Sequence, residues 1–258
     1  MEINEVIQYW QNLNINSYEQ LELALQNYNV LFAYNSGKIE NEKITFNDTR
    51  EIFGKGKVIN YTGDLRTLYE IQNQKNCSNY LLKKIIKKEP ISIEFIKKVN
   101  KLLCQGTIDE RRYIINGERA GEFKKHDYVV GINEVGSSPE DVISDLKHLI
   151  EEVNLYSGNN YLTVAAYLHC NFEYIHPFSD GNGRTGRTLL NYYLMINDLP
   201  PTIIYEEDKK SYYDALKAYD EQEDISIMRD FIEISLIKTW QKTLEKTDEH
   251  RHMPDLEI

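Results

Sequence analysis

The chain has 258 residues, 41% of them hydrophobic, and 30 Lys and Arg stand against 41 Asp and Glu, a net charge of −11. A chain of that length can bury a substantial core as one compact unit, and its acidity excludes a general affinity for nucleic acid or anionic membrane, which needs a basic face. No apolar run is long enough to span a bilayer, and MEINEVIQYW lacks the basic and apolar regions of a signal peptide.

In chain order, N-terminal helices are predicted over SYEQLELALQNYNVLFAY (17–34) and NSGKIENEKIT (35–45), with TFNDTREIF (45–53) as a connector. Helical patterns recur at TGDLRTLYEIQNQ (62–74), SNYLLKKIIKK (78–88) and ISIEFIKKVNKLLCQ (91–105). The lysines of LLKKIIKK read as a solvated helix face. GEFKKHDYVVG (121–131) differs: Tyr128, Val129 and Val130 favour extended chain, and a glycine at each end permits a tight bend. Pro139 suits the first turn of a helix over PEDVISDLKHLIEEVNLY (139–156), and YLTVAAYLHCNFEYI (161–175) reads as a buried helix. Further helices are predicted at RTGRTLLNYYLMIND (184–198) and MRDFIEISLIKTWQKTLEKT (228–247), with a polar, frayed end at 247–258. Three cysteines, Cys77, Cys104 and Cys170, widely spaced and without a CxxC, point to reduced thiols in a cytoplasm. His169 has no partner ligands in sequence and reads as a packing histidine.

Between the buried helix and its successor lies HPFSDGNGRTGR (176–187), which has the chemistry of a polyphosphate site. Asp180 can hold a hard divalent cation such as Mg²⁺ through oxygen. Gly181 and Gly183 let backbone N–H groups approach an anion, and the next helix points its positive dipole end at the same place. Arg184 and Arg187 share a helical face and can grip phosphate oxygens with planar guanidinium forks. His176, with an ordinary pKa near neutrality, can take a proton from an incoming hydroxyl. The same letters fit G-x-G-x-x-G and, with Arg187 in place of Lys, a P-loop. Both of those need a strand immediately upstream, and a helix is predicted there instead.

HPFSDGNGRTGR resembles the signature of the Fic family, HPFx[DE]GNGRxxR, at every defined position. The resemblance runs from about residue 30 to about 235 and implies an all-α, Fic-like helical core with a small β-hairpin flap. It divides the chain into N-terminal helices with an inhibitory segment (1–55), a catalytic core (56–240) and a polar tail (241–258). The implied reaction moves AMP from ATP to a Ser, Thr or Tyr hydroxyl of a target protein and of the enzyme itself, with Mg²⁺ as cofactor. The implied roles are His176 as general base, Asp180 as metal ligand, Gly181, Asn182 and Gly183 as anion cradle, and Arg184 and Arg187 on the β- and γ-phosphates. The related Doc kinases lack this Gly-Asn-Gly, so phosphorylation is the less favoured chemistry.

Three further segments resemble the family. Ser36 precedes Glu40 and Asn41 as in its inhibitory motif [ST]xxxE[GN], and a capping box does not explain the segment because Ile39 stands where Glu or Gln is required. The resemblance pairs Glu40 with Arg187, and a carboxylate and a γ-phosphate compete for one guanidinium. GEFKKHDYVVG is similar to the flap that docks the target as an added strand, which nominates Lys124, Tyr128 and Val130, with Lys124 in place of the usual Arg and Tyr128 in place of the usual Val. The stretch 199–224 resembles the one that closes the adenine pocket. There Tyr213 matches a base-contacting tyrosine, and Asp220 stands where Asn is common. Two rivals stay open: removal of AMP with Glu40 positioning a water, and a nucleotide-sensing module with vestigial chemistry. The sequence leaves self-association open.

Overall fold

The computed structural model describes residues 2–128 and 136–251, the side chains of 246–251 excepted. Among these residues there are twelve α-helices and no strand. Short polar side chains start many of them. Ser17 accepts a hydrogen bond from Gln20 N to open α2 (Tyr18–Ala24), Thr45 caps α4 (Phe46–Lys55), Asp64 caps α5 (Leu65–Ile86), and Ser92 caps α6 (Ile93–Cys104). Each cap satisfies an N–H that the helix itself leaves without a partner.

Two long helices form the centre. In α9 (Tyr161–Ile175), Ala165, Ala166, Leu168 and Phe172 are buried, and in α10 (Asn182–Ile196) nearly every side chain is. Around this pair pack α6, α8 (Val142–Leu155) and α12 (Ile225–Arg251), with α5 against α6 and α11 (Lys209–Gln222) against α12. The N-terminal helices share the same core. Trp10 of α1 (Ile3–Asn12) and Tyr28 of α3 (Gln26–Glu40) meet the Trp240 ring at centroid distances of 5.4 and 6.4 Å. A smaller cluster of Ile44, Ile52 and Ile71 seats α4 on α5.

Several boundaries differ from the sequence reading. The helices expected over 17–45 are α2 and α3, parted where the backbone turns at Leu25 (φ −94, ψ 1), and α3 ends at Glu40 rather than Thr45. The connector expected at 45–53 is α4, its weak apolar pattern outweighed by the Thr45 cap and closed by left-handed Gly56. The patterns at 62–74 and 78–88 join into one 22-residue helix, α5. Pro139 lies in a turn ahead of α8, and α12 continues to Arg251, well into the segment read as a polar tail. Residues 121–128 form turns and bends, while Val130 lies outside the described residues together with the rest of the expected hairpin. No described helix is long and apolar enough to cross a membrane.

Candidate active site

The segment joining α9 to α10 turns the chain sharply and is fastened on every side. His176 closes α9 in the left-handed region (φ 49), its N–H donating to Phe172 O at 3.1 Å. A β-carbon-bearing residue held there marks a position that its surroundings over-determine. Asn182 closes the loop from its far end: its Oδ1 accepts from Phe178 N at 2.9 Å and its Nδ2 donates to Phe178 O at 2.7 Å. From α6, Asn100 Nδ2 donates to Asp180 O at 3.0 Å, while its Oδ1 accepts from Gly121 N at 2.8 Å. Lys124 N donates to Pro177 O, and Arg112 donates to Ser179 O.

The loop glycines sit where a β-carbon would collide with neighbouring side chains. Gly181 sits at φ 76, and a Cβ there would lie 2.2 Å from Cys104 Sγ. At Gly183 a Cβ would meet Glu40 Oε1 at 2.4 Å and Arg187 Nη1 at 2.9 Å, so a larger residue would have to push this ion pair aside. The Asn182 side chain closes the loop on itself.

Arg187 is 1% exposed and held from α3. Its Nε donates to Ser36 Oγ at 3.0 Å, and its Nη2 donates to Ser36 O and to Glu40 Oε1, both at 2.9 Å. The two residues of the N-terminal motif therefore converge on the second arginine of the loop. Burial pulls the Glu40 carboxyl upward, but the charge and hydrogen bond of Arg187, helped by Arg184 and Lys209, hold it below its ordinary value. Arg184 Nη2 lies 3.3 Å from Asp180 Oδ1. Three buried guanidinium nitrogens, Arg184 Nε and Nη1 and Arg187 Nη1, have no hydrogen-bond acceptor. Unsatisfied buried cationic donors are costly, and an incoming anion would satisfy them.

At the other end of the loop, burial and the nearby Lys124 charge press the His176 pKa down to about 4, so the imidazole is neutral near pH 7. A backbone contact with Glu173 opposes that shift only in part, and Nδ1 is buried, which leaves Nε2 as the nitrogen to meet a reactant. Lys124 is buried, and Tyr128 directs its hydroxyl to Glu118 Oε1 at 2.8 Å beneath the Arg112 guanidinium, so both nominated docking side chains turn inward. Tyr213 is half-exposed, 5.1 Å from the Tyr212 ring, its phenol pushed up to about 12 by burial and then by the Glu40 charge. His169 is a packing histidine, bonded to Tyr212 Oη at 2.9 Å.

The sequence reading missed four residues that shape the site. Asn100 joins the Gly121 backbone to the loop. Arg66 and Glu70, an i,i+4 pair on α5, lie beside Asp180 and Arg184. Glu173, one turn before His176, packs its carboxyl against Gly186, and burial pushes it up to about 8 against the pull of Arg187. An i,i+4 ion pair was visible in the sequence, but its meeting with Asp180 is a long-range contact with no local signal. Glu40, Arg66, Asp180 and Arg184 line a cleft of about 350 Å³. A hollow beside Trp240 of about 390 Å³ lacks such converging charges.

A glycine-bearing loop between two central helices, with buried arginines and a carboxylate from an earlier helix against them, belongs to an all-helical fold among the described residues. Residues 90–194 match the Fic/DOC family. Protein adenylyltransferase fic-1 of Caenorhabditis elegans is 30% identical over 195 residues, covering 72% of this chain and 35% of that protein. Protein adenylyltransferase Fic of Drosophila persimilis is 30% identical over 190 residues, with 73% and 35% covered. The chain thus spans about a third of the length of these curated relatives. Among solved structures, a Fic domain containing signaling protein from Bacteroides thetaiotaomicron superposes with a TM-score of 0.80 at 23% identity over 93% of this chain and 94% of that one. Fic-1 from C. elegans superposes with a TM-score of 0.75 at 23% identity, covering 96% and 73%. The chain is a Fic-domain protein.

Proposed function

We propose that this protein is an autoinhibited protein adenylyltransferase that transfers AMP from ATP to a hydroxyl of target proteins and of itself. The observation that carries the reading is the convergence of unsatisfied Arg184 and Arg187 donors, Gly183 and a neutral His176 on one loop, with Glu40 bonded to the arginine a γ-phosphate would need. The names of the relatives support the same reaction.

In this mechanism Arg184 and Arg187 bind the β- and γ-phosphates, and the Gly181–Gly183 backbone and the α10 N-terminus stabilise charge on the phosphate chain. A target hydroxyl oxygen attacks the α-phosphorus in line. The bond from that phosphorus to the bridging oxygen breaks, pyrophosphate leaves, and His176 Nε2 takes the hydroxyl proton. Mg²⁺ fits the donor set: nucleotide-borne Mg²⁺ takes one or two carboxylates and completes its shell with phosphates and water, and Asp180 offers one partly exposed carboxylate at the mouth of the cleft. Bound there, the cation would neutralise phosphate charge, and Asp180 would hold it. While Glu40 occupies Arg187, the productive phosphate pose is a minor population. Three buried free cysteines are in keeping with a reducing cytoplasm. The test is a label-transfer assay with α-labelled ATP on wild type, Glu40→Gly and His176→Ala. The proposal expects strong self-labelling only in Glu40→Gly, and equal labelling of all three would refute it.

A further inference from the structure

We infer that Arg66 is a positioning residue for the divalent cation: it covers Asp180 in the resting molecule and ties release of that carboxylate to the end of the inhibitory helix. The inference rests on the reading of Asp180 as the cation ligand of the nucleotide site.

Both oxygens of Asp180 face guanidinium groups, Oδ1 at 3.3 Å from Arg184 Nη2 and Oδ2 at 3.3 Å from Arg66 Nη2. The two arginines differ in freedom. The Arg184 side chain is 5% exposed and fixed in α10, whereas that of Arg66 is 44% exposed on α5. Arg66 is aimed rather than buried: its Nε donates to Glu70 Oε1 at 3.0 Å, which turns Nη2 toward Asp180. Glu70 in turn is buried, and its second oxygen accepts from Asn41 Nδ2 at 2.7 Å. Asn41 is the C-cap of α3 and directly follows Glu40.

Two contacts therefore leave the same helix end. Glu40 occupies the arginine of the γ-phosphate. Asn41, through Glu70 and Arg66, holds a cation over the carboxylate of the metal. Mg²⁺ takes a carboxylate oxygen at about 2.1 Å and sets its two charges against whatever cation is already there. Arg184 has nowhere to go, so Arg66 is the group that must swing into water. Whatever holds it on Glu70 opposes metal binding, and withdrawal of the α3 end removes that hold as it removes Glu40.

The experiment titrates the full chain with Mn²⁺ in the presence of ADP, following free Mn²⁺ by electron paramagnetic resonance, with ADP affinity without metal measured separately by calorimetry. Arg66→Ala is expected to bind Mn²⁺ about two- to fivefold more tightly, the size of a partly exposed ion pair expressed as affinity. Asn41→Ala should shift in the same direction by less. Lys43→Ala removes a positive charge from the rim of the same cleft, but that charge pairs with Asp64 at 3.5 Å, and the midpoint should stay within error of wild type. An Arg66→Ala midpoint that is unchanged or weaker overturns the inference, as does a Lys43→Ala shift of equal size, which would make the effect one of general charge. Loss of ADP affinity without metal in Arg66→Ala makes Arg66 a phosphate ligand and overturns it too. If wild type binds neither ADP nor Mn²⁺, the nucleotide reading of the site falls, and this inference with it.

Discussion

Replacing Glu40 with Gly should release the enzyme, and the structure sets the size of the effect. The substitution removes one charge-assisted hydrogen bond, Arg187 Nη2 to Glu40 Oε1 at 2.9 Å, a type worth roughly 1.5–3 kcal/mol. The Glu40 side chain is 38% exposed, so screening places the value in the lower part of that range. Arg187 keeps its two bonds to Ser36, so its guanidinium stays where the γ-phosphate needs it and the fold changes little. A shift of this size in the resting equilibrium raises the productive fraction, and with it the rate of transfer, by about ten- to fortyfold. Initial rates of self-labelling from α-labelled ATP measure it directly. Glu40→Gln, which keeps an acceptor but loses the charge, should gain less. Arg187→Ala should remain inactive with or without the Glu40 change. If Glu40→Gly labels at the wild-type rate while still binding ATP, the lock is not at this contact. If wild type but not Glu40→Gly releases AMP from modified protein, Glu40 also serves the reverse chemistry.

Other expected outcomes concern the base, the cation and a buried acid. His176→Ala in the Glu40→Gly background should lose transfer by about 10²–10⁴-fold while ATP affinity, followed by calorimetry, is retained. Because the His176 pKa lies near 4, the transfer rate of Glu40→Gly should show no imidazole titration between about pH 5.5 and 8; a midpoint near 6.5 would contradict that burial. Asp180→Ala, or chelation with EDTA, should abolish transfer; chelation should leave the thermal transition of the protein nearly unmoved, whereas Asp180→Ala takes the hydrogen-bond acceptor from buried Arg184 and should lower it. Glu173 holds its proton in the folded state up to about pH 8, whereas the unfolded chain releases it near its ordinary value. Its favourable contribution is therefore full below about pH 4.5 and is lost as pH rises toward 8. Glu173→Gln cannot ionise, so its urea midpoint relative to wild type should rise between pH 5 and pH 8, and a constant difference would show that Glu173 is not held protonated.

The parts of this molecule that were legible in the sequence are those written in consecutive residues. The loop from His176 to Arg187 carries its glycines, carboxylate and arginines in a single run, and the buried helix before it announced itself by apolar spacing. The pairing of Ser36 and Glu40 with Arg187 was legible only through the resemblance, since 147 residues separate Glu40 from Arg187. What escaped is long-range or depends on one cap. Nothing local says that Glu70 lies between Asn41 and Arg66, or that Asn100 spans from Asp180 to Gly121. Helix α4 has few apolar residues, and the Thr45 cap outweighs that pattern. The inward turn of the Tyr128 hydroxyl follows from the buried Glu118, a carboxylate whose partners Tyr128, Lys125 and His126 come from the segment itself.

The most direct test of the central claim compares two labels on one protein. Glu40→Gly is incubated with Mg²⁺ and either α-labelled or γ-labelled ATP, and the modified chain is then weighed by mass spectrometry. Transfer of AMP predicts that the α label enters the protein with the mass of one adenylyl group per site, that the γ label leaves in pyrophosphate, and that both events vanish in the Glu40→Gly, His176→Ala double variant. Incorporation of the γ label, or α labelling that survives loss of His176, would contradict the account.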